Sequence, residues 1–322
     1  MQQRTLGQGL TTSALGLGCM GMSEFYGPRD DAVSMQVLHE AMERGVDMFD
    51  TADMYGPHHN EALIGAFLRG GAKVKVATKF GIVRAAGEYR RGLDNSAAYI
   101  RAACEGSLKR LGVDRIDLYY VHRVSSDQPI EETMSTLSRL VDEGKIAHVG
   151  LCEVSADTLR RAHAVHPVTA VQTEYSLWSR GVEASVLPTC RALGVGFVAY
   201  SPLGRGFLTG QIGELDAGDF RRALPRFQAD ALATNRSLAD RVAEVAARRG
   251  CTAAQVSLAW LLAKGDDIIP IPGTKRLRWL RDNIAATDVV LTPNDLRDLD
   301  ALSALPVVGA RYTAEGMKGL DA

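Results

Sequence analysis

Short apolar runs rich in β-branched and aromatic residues recur along the chain. They alternate with stretches whose apolar positions repeat at helical spacing. The runs fall at 13–18, 45–50, 74–79, 116–122, 148–152, 170–174, 195–201 and 268–271. Most are apolar on successive positions, as expected of strands in a parallel sheet covered on both faces. Between them, 30–44 carries Val33, Val37, Leu38 and Ala41 on one face, and 96–111 carries Ile100, Cys104, Leu108 and Leu111. Segments 60–68, 129–143, 155–164, 182–193 and 237–264 continue the helical pattern. Asn60 and either Ser155 or Asp157 are candidate N-caps, and Gly144 and Gly194 are candidate stops. Strand and helix repeated about eight times predict an α/β fold, a (β/α)8 TIM barrel forming one domain over residues 1–322. The rival doubly wound sheet lacks its signature, since no G-x-G-x-x-G with a later acidic residue follows the first strand. Residues 4–13, centred on Gly7-Gln8-Gly9, predict a β-hairpin that plugs the N-terminal end of the barrel.

Three stretches, 80–95, 203–235 and 302–322, break the alternation and predict long loops at the C-terminal face. Loops of this length in a compact barrel are commonly lids or binding loops. These carry Arg84, Arg90, Arg91, Phe207, Phe220, Arg221, Arg222, Phe227, Arg311 and Tyr312.

Composition narrows the picture. The chain is 46% hydrophobic and 23% charged, with a formal net charge of −1. Nothing global points to nucleic acid or a membrane surface as partner. No signal peptide is legible at the N-terminus and no apolar run is long enough to span a bilayer, so a cytoplasmic location is expected. The five cysteines are scattered and never form a CxxC pair. That spacing predicts reduced thiols and no structural metal.

Candidate chemistry gathers where apolar strands give way to loops. Asp50 and Tyr55 follow the second strand, Lys79 ends the third and His122 ends the fourth. Taken singly, Tyr55 is a loop aromatic, His122 a polar strand end, and Lys79 with Asp50 a structural ion pair. Together, at the C-terminal ends of different barrel strands, they converge on one mouth. A free phenol titrates near ~10, and a lysine ammonium beside it would favour the phenolate. Asp50 would keep Lys79 charged, Tyr55 would donate a proton, and neutral His122 would orient a carbonyl.

A second layer suits a nicotinamide coenzyme. Tyr200 could stack on the ring and Gln172 could bond its carboxamide, while the glycine-rich 201–206 would admit a pyrophosphate. Gly273-Thr274-Lys275-Arg276-Leu277-Arg278 follows the last strand and opens a helix, a place where barrels bind phosphate. Its cations favour a 2′-phosphate, hence NADP(H), with NAD(H) less favoured. Asp282 and Asn283 would hold the adenine end. Met20, Met54, Tyr55, Arg123, Trp178 and Phe207 are candidate pocket walls, mostly apolar, suiting a bulky aldehyde or ketone.

The segments Phe49-Asp50-Thr51-Ala52-Asp53-Met54-Tyr55-Gly56, Asp117-Leu118-Tyr119-Tyr120-Val121-His122-Arg123, Ala199-Tyr200-Ser201-Pro202-Leu203-Gly204 and Ile271-Pro272-Gly273-Thr274-Lys275-Arg276 resemble those of the aldo-keto reductase superfamily. The likeness runs from Leu15 to Asn283 and is greatest toward a microbial and plant branch grouped with pyridoxal and perakine reductases. It implies a catalytic tetrad at Asp50, Tyr55, Lys79 and His122. It also implies reversible hydride transfer between NADPH and a small carbonyl substrate. Coenzyme contacts are implied at Gln172, Tyr200, Ser201, Leu203, Gly204, Gly273, Thr274, Lys275, Asp282 and Asn283. Gly18, Met20, Cys152, Glu153, Pro202, Gly206 and Arg278 are further candidates beside them. Two positions depart from many relatives. Cys152-Glu153 replaces Ser-Asn, setting a carboxylate near the nicotinamide, and Trp279 replaces Arg or Gln at the adenosine end. Two other readings are a slow, redox-sensing regulatory subunit, as some barrels of this family are, and a Schiff-base lyase acting through Lys79. The oligomeric state, monomer or homo-oligomer, is not legible.

Overall fold

Gly7 and Gly9, with φ of 46° and 94°, turn β1 (Gln3–Leu6) back on β2 (Leu10–Ser13) as an antiparallel hairpin. Only a residue without a Cβ takes this path easily. The structure is a computed structural model that describes residues 1–85 and 92–321, so Arg90 and Arg91 lie outside the described residues.

After the hairpin come β3 (Leu17–Gly18), α1 (Asp31–Glu43), β4 (Met48–Asp50), α2 (His59–Arg69) and β5 (Lys75–Phe80). A small ribbon of β6 (Ile82–Val83) and β7 (Gly92–Leu93) precedes α3 (Ala97–Leu111) and β8 (Ile116–Val121). The chain continues through α4 (Ile130–Asp142), β9 (Ile146–Cys152), α5 (Ala156–Val165), β10 (Ala170–Glu174), α6 (Val186–Leu193) and β11 (Gly196–Tyr200). The last elements are α7 (Ala229–Arg249), α8 (Ala253–Ala263), β12 (Ile268–Pro270), α9 (Leu277–Ala285), α10 (Pro293–Asp300) and α11 (Ala314–Met317).

The main sheet runs β3-β4-β5-β8-β9-β10-β11-β12, with every neighbour parallel. The two ends of that order meet. Gly16 N donates to Pro270 O at 3.0 Å, Gly18 N donates to Pro272 O at 3.2 Å, and Gly18 bridges Gly273 in parallel. The sheet is thus a (β/α)8 barrel, with the helices packed outside it.

The hairpin corks the bottom. Leu6 and Leu10 pack with Met48, Leu118, Tyr120 and Val198 inside the barrel. Gly196 makes room for the cork, because a Cβ there would lie 2.3 Å from Leu6 Cδ2. Arg4 donates to the carbonyls of Leu262, Gly265 and Ile268, tying the hairpin to the end of α8 and the start of β12.

Four expectations change in detail. The first strand is only Leu17–Gly18, because Ser13 pairs within the hairpin. The 182–193 helix is two pieces, a turn at Gly181–Glu183 and then α6, because Pro188 is tolerated only in a helix's first turn. The 237–264 helix is also two. Gly250 (φ 65°) stops α7, and Thr252 and Gln255 form a capping box that starts α8. Asn60 is not an N-cap: His58 holds that position, and Asn60 is buried within the first turn of α2. Ser155, rather than Asp157, caps α5. Among the described residues no helix is long and apolar enough to cross a membrane.

Candidate active site

Lys79 projects from β5 into the C-terminal half of the barrel, where its side chain is fully buried. Its ammonium pairs with Asp50 at the end of β4 and donates to Thr51 O at 2.8 Å and Tyr55 Oη at 3.3 Å. Gln172 of β10 donates to the other Asp50 oxygen at 2.6 Å. His122, just past β8, sets its ring edge-on to Tyr55 with centroids 5.8 Å apart. The four expected side chains therefore meet at one point.

The turn bearing Tyr55 is tied down on several sides. Thr51 N donates to Ala77 O at 2.8 Å and Asp53 N donates to Lys79 O at 3.1 Å. Asn60 does more here than a cap would. It accepts from Thr51 Oγ1 at 2.6 Å and donates to Cys19 O and Ser23 Oγ, joining the loops after β3 and β4. Such satisfied buried amides fix geometry because leaving them unpaired is costly.

Burial sets the charges. It pushes the Tyr55 phenol up, the Lys79 charge and hydrogen bond oppose this, and the net result is about 12. Burial would lower Lys79, but Asp50 foremost outweighs it and holds the ammonium above its ordinary value. The Asp50 carboxyl is raised by burial, against Lys79 and Gln172. We read the pair as ionised, since each charge has its partner in contact. Lys79 therefore limits the rise of Tyr55 rather than bringing it below the free phenol.

Above the tetrad opens a cavity of about 510 Å³. It runs from Tyr55 and His122 past Tyr200 to Thr274, Trp279 and Asn283. All the candidate coenzyme contacts line it except Glu153, Gly204 and Arg278, and Arg278 lines an adjoining cleft with Trp279 and Asp282. All three long loops contribute, through Ile82, Phe220 and Tyr312 among others. Phe25 and Tyr26, unnoticed in the sequence, also line it. Their signal was an aromatic pair placed just before Gly27-Pro28. Trp178 and Phe207 are not walls. They stack at 4.0 Å beneath the loop, in the hydrophobic core.

Glu153 differs most from expectation. With φ of 51°, its buried carboxylate turns to Arg311, which donates at 3.0 and 2.8 Å. It also accepts from Tyr200 Oη at 2.7 Å and Glu174 N at 3.0 Å. Tyr312 bonds Tyr200 through their hydroxyls at 2.8 Å. The carboxylate thus anchors the C-terminal segment over the barrel instead of lining the cavity.

At the far end, Lys275 reaches back to donate to Tyr26 O at 2.5 Å and Pro28 O at 2.7 Å. Arg276 lines the cavity and stands at the N-cap of α9. Asp282 accepts from Thr252 and Gln255 of the α8 capping turn. Arg278 lies over the Trp279 ring at 4.6 Å.

The sequence model of the Aldo/keto reductase family matches residues 14–304. Among solved structures, glycerol dehydrogenase AKR11B4 from Gluconobacter oxydans superposes with a TM-score of 0.86 at 27% identity, over 94% of this chain and 95% of that one. Aldo-keto reductase AKR11C1 from Bacillus halodurans, in its holo form, gives 0.78 at 26% identity, over 95% and 98%. The thermostable aldo-keto reductase Tm1743, solved with the inhibitor epalrestat, gives 0.76 at 30% identity, over 94% and 100%. The chain belongs to the aldo/keto reductase family, and is an oxidoreductase acting on carbonyl and alcohol groups.

Proposed function

We propose that this member of the family reduces aldehydes or ketones to alcohols, reversibly, with NADPH as the preferred coenzyme. The observation that carries the reading is the Lys79 ammonium held between Asp50 and the Tyr55 hydroxyl at the base of a long cavity.

The cavity suits an extended dinucleotide. Tyr200 lines the cavity together with Tyr55 and His122 of the tetrad. Ser201, Gly204, Arg205 and Gly206 all have positive φ, giving a tight turn whose backbone can approach a pyrophosphate. Thr274 and Arg276, at the start of α9, offer a hydroxyl and a cation where the helix dipole also favours an anion. The preference for a 2′-phosphate rests on Arg276 and Arg278 more than on Lys275, whose ammonium is engaged by two carbonyls.

A bound reduced nicotinamide would supply the hydride. The chain supplies the rest. His122 and Tyr55 hold the carbonyl oxygen, and Tyr55 Oη gives it a proton as negative charge develops there. Lys79 stabilises the phenolate that remains, and Asp50 fixes Lys79 in place and keeps it charged. Gln172 is the amide that holds Asp50 from the other side. A Schiff-base lyase would need Lys79 as a neutral amine, and the ion pair opposes that.

Fluorescence titration with NADPH and NADH, at low and moderate salt, tests the reading. Tight, salt-sensitive NADPH binding with weaker NADH binding, and NADPH consumption on adding aldehydes, is the expected result. Equal binding removes the 2′-phosphate preference. Binding without turnover favours the regulatory reading, and no binding overturns the reductase.

A further inference from the structure

Four guanidiniums, Arg123, Arg205, Arg226 and Arg311, gather around two carboxylates, Glu153 and Glu174, in and beside the wall of the cavity. Arg311 closes a bidentate pair with Glu153. Glu174 is shared, at 3.4 Å from Arg205, 3.5 Å from Arg226 and 3.9 Å from Arg311. The Glu174 side chain is 4% exposed and Glu153 is fully buried, so water does little to balance the excess. The nearby Tyr200 phenol is raised by burial first and by Glu153 next, so it stays neutral and contributes no charge.

Two of the four cations line the cavity. Arg123 directly follows His122 and donates to its carbonyl at 2.6 Å, and it forms no ion pair among the described residues. Arg205 sits between the rings of Phe220 and Tyr312, at 5.2 and 4.8 Å. Arg226, in contrast, is taken up by Trp178 O, Ser179 Oγ and Gly309 O and lines no part of the cavity. A buried excess of cations favours an anion, and a guanidinium fork matches a carboxylate best.

We propose that Arg123 and Arg205 form an anion subsite for a carboxylate carried by the carbonyl substrate, so that the preferred substrates are aldehydes or ketones bearing an acid group. This rests on the reductase reading and replaces the bulky apolar substrate expected from the sequence. Phe25, Phe220 and Tyr312 would flank the linker between carbonyl and acid.

The test compares para-carboxybenzaldehyde, its methyl ester and para-formylphenyl phosphate, with NADPH, on the wild type and on Arg123→Gln, Arg123→Lys and Arg205→Gln. The acid should exceed the ester in kcat/KM by about tenfold or more, the scale of a charge-assisted hydrogen bond. Each Gln variant should cut that ratio by about tenfold, mainly through KM, and Arg123→Lys should restore part of it. Equal use of acid and ester by the wild type, or parallel losses on both in the variants, would overturn the proposal. A phosphate preferred over the carboxylate would overturn the choice of anion. Calorimetric titration with benzoate and benzamide separates this from the reductase reading. Benzoate binding that Arg123→Gln abolishes upholds the subsite even if no carbonyl is reduced, and absence of benzoate binding to the wild type overturns it.

Discussion

At the floor of the cavity one lysine meets one aspartate, the other two ammonium N–H groups go to Thr51 and Tyr55, and the second carboxylate oxygen accepts from Gln172. Beside the mouth four guanidiniums stand against two carboxylates; Arg205, Arg226 and Arg311 share them, and Arg123 pairs with neither. Both regions bury charge, but only the floor balances it. A balanced buried pair holds one geometry through chemistry that moves a proton. An unbalanced cluster is a standing demand for a counter-charge, and the substrate can meet it. The floor thus reads as the reaction and the mouth as the selection.

The floor should show the larger effects. Reduction needs protonated Tyr55, which is fully present below its raised value of about 12, whereas alcohol oxidation needs the phenolate. The oxidation rate should climb by roughly tenfold per pH unit through the alkaline range while the reduction rate stays flat with respect to this group. Steady-state rates in both directions check this, and an oxidation profile that levels off near neutrality would contradict it.

Lys79→Met breaks the balance outright. It leaves Asp50 buried without its partner and should cost about 3–5 kcal/mol in denaturant unfolding. It should also cut reduction, since Tyr55 loses the charge that restrains its rise.

The mouth should respond asymmetrically. Glu153→Gln removes a scarce carboxylate and leaves Arg311 with no bidentate partner. Hydrogen exchange over 311–321 should quicken by about tenfold. Arg311→Met lowers the cation excess instead, and the buried Glu153 carboxylate left behind keeps Tyr200 Oη, Glu174 N and the nearby Arg123 charge as compensation. It should loosen the same segment by less. Equal effects from the two variants would mean that charge balance does not govern the mouth.

The barrel was legible because its strands are apolar on both faces and its helices keep strict spacing. The tetrad was legible because each member lies at or just beyond the C-terminal end of a strand, where position alone predicts convergence. Boundaries failed where a single residue overrides periodicity, as Gly250 and Pro188 do in splitting two helices. Asn60 was misread because a polar residue before an apolar stretch looks the same whether it caps the helix or turns inward to join two loops. Glu153 was misplaced because its partner, Arg311, lies far along the chain in a segment without periodicity. Trp178 and Phe207 looked like pocket walls because composition does not say which side of a loop an aromatic faces.

The central claim is that Tyr55 delivers the proton, and single-turnover reduction of an aldehyde by Tyr55→Phe with saturating NADPH tests it most directly. The account predicts a loss of at least ~10²-fold in the rate of NADPH oxidation with coenzyme affinity unchanged, since the ring remains and only the hydroxyl is gone. A near-normal rate would contradict it and remove Tyr55 from the mechanism.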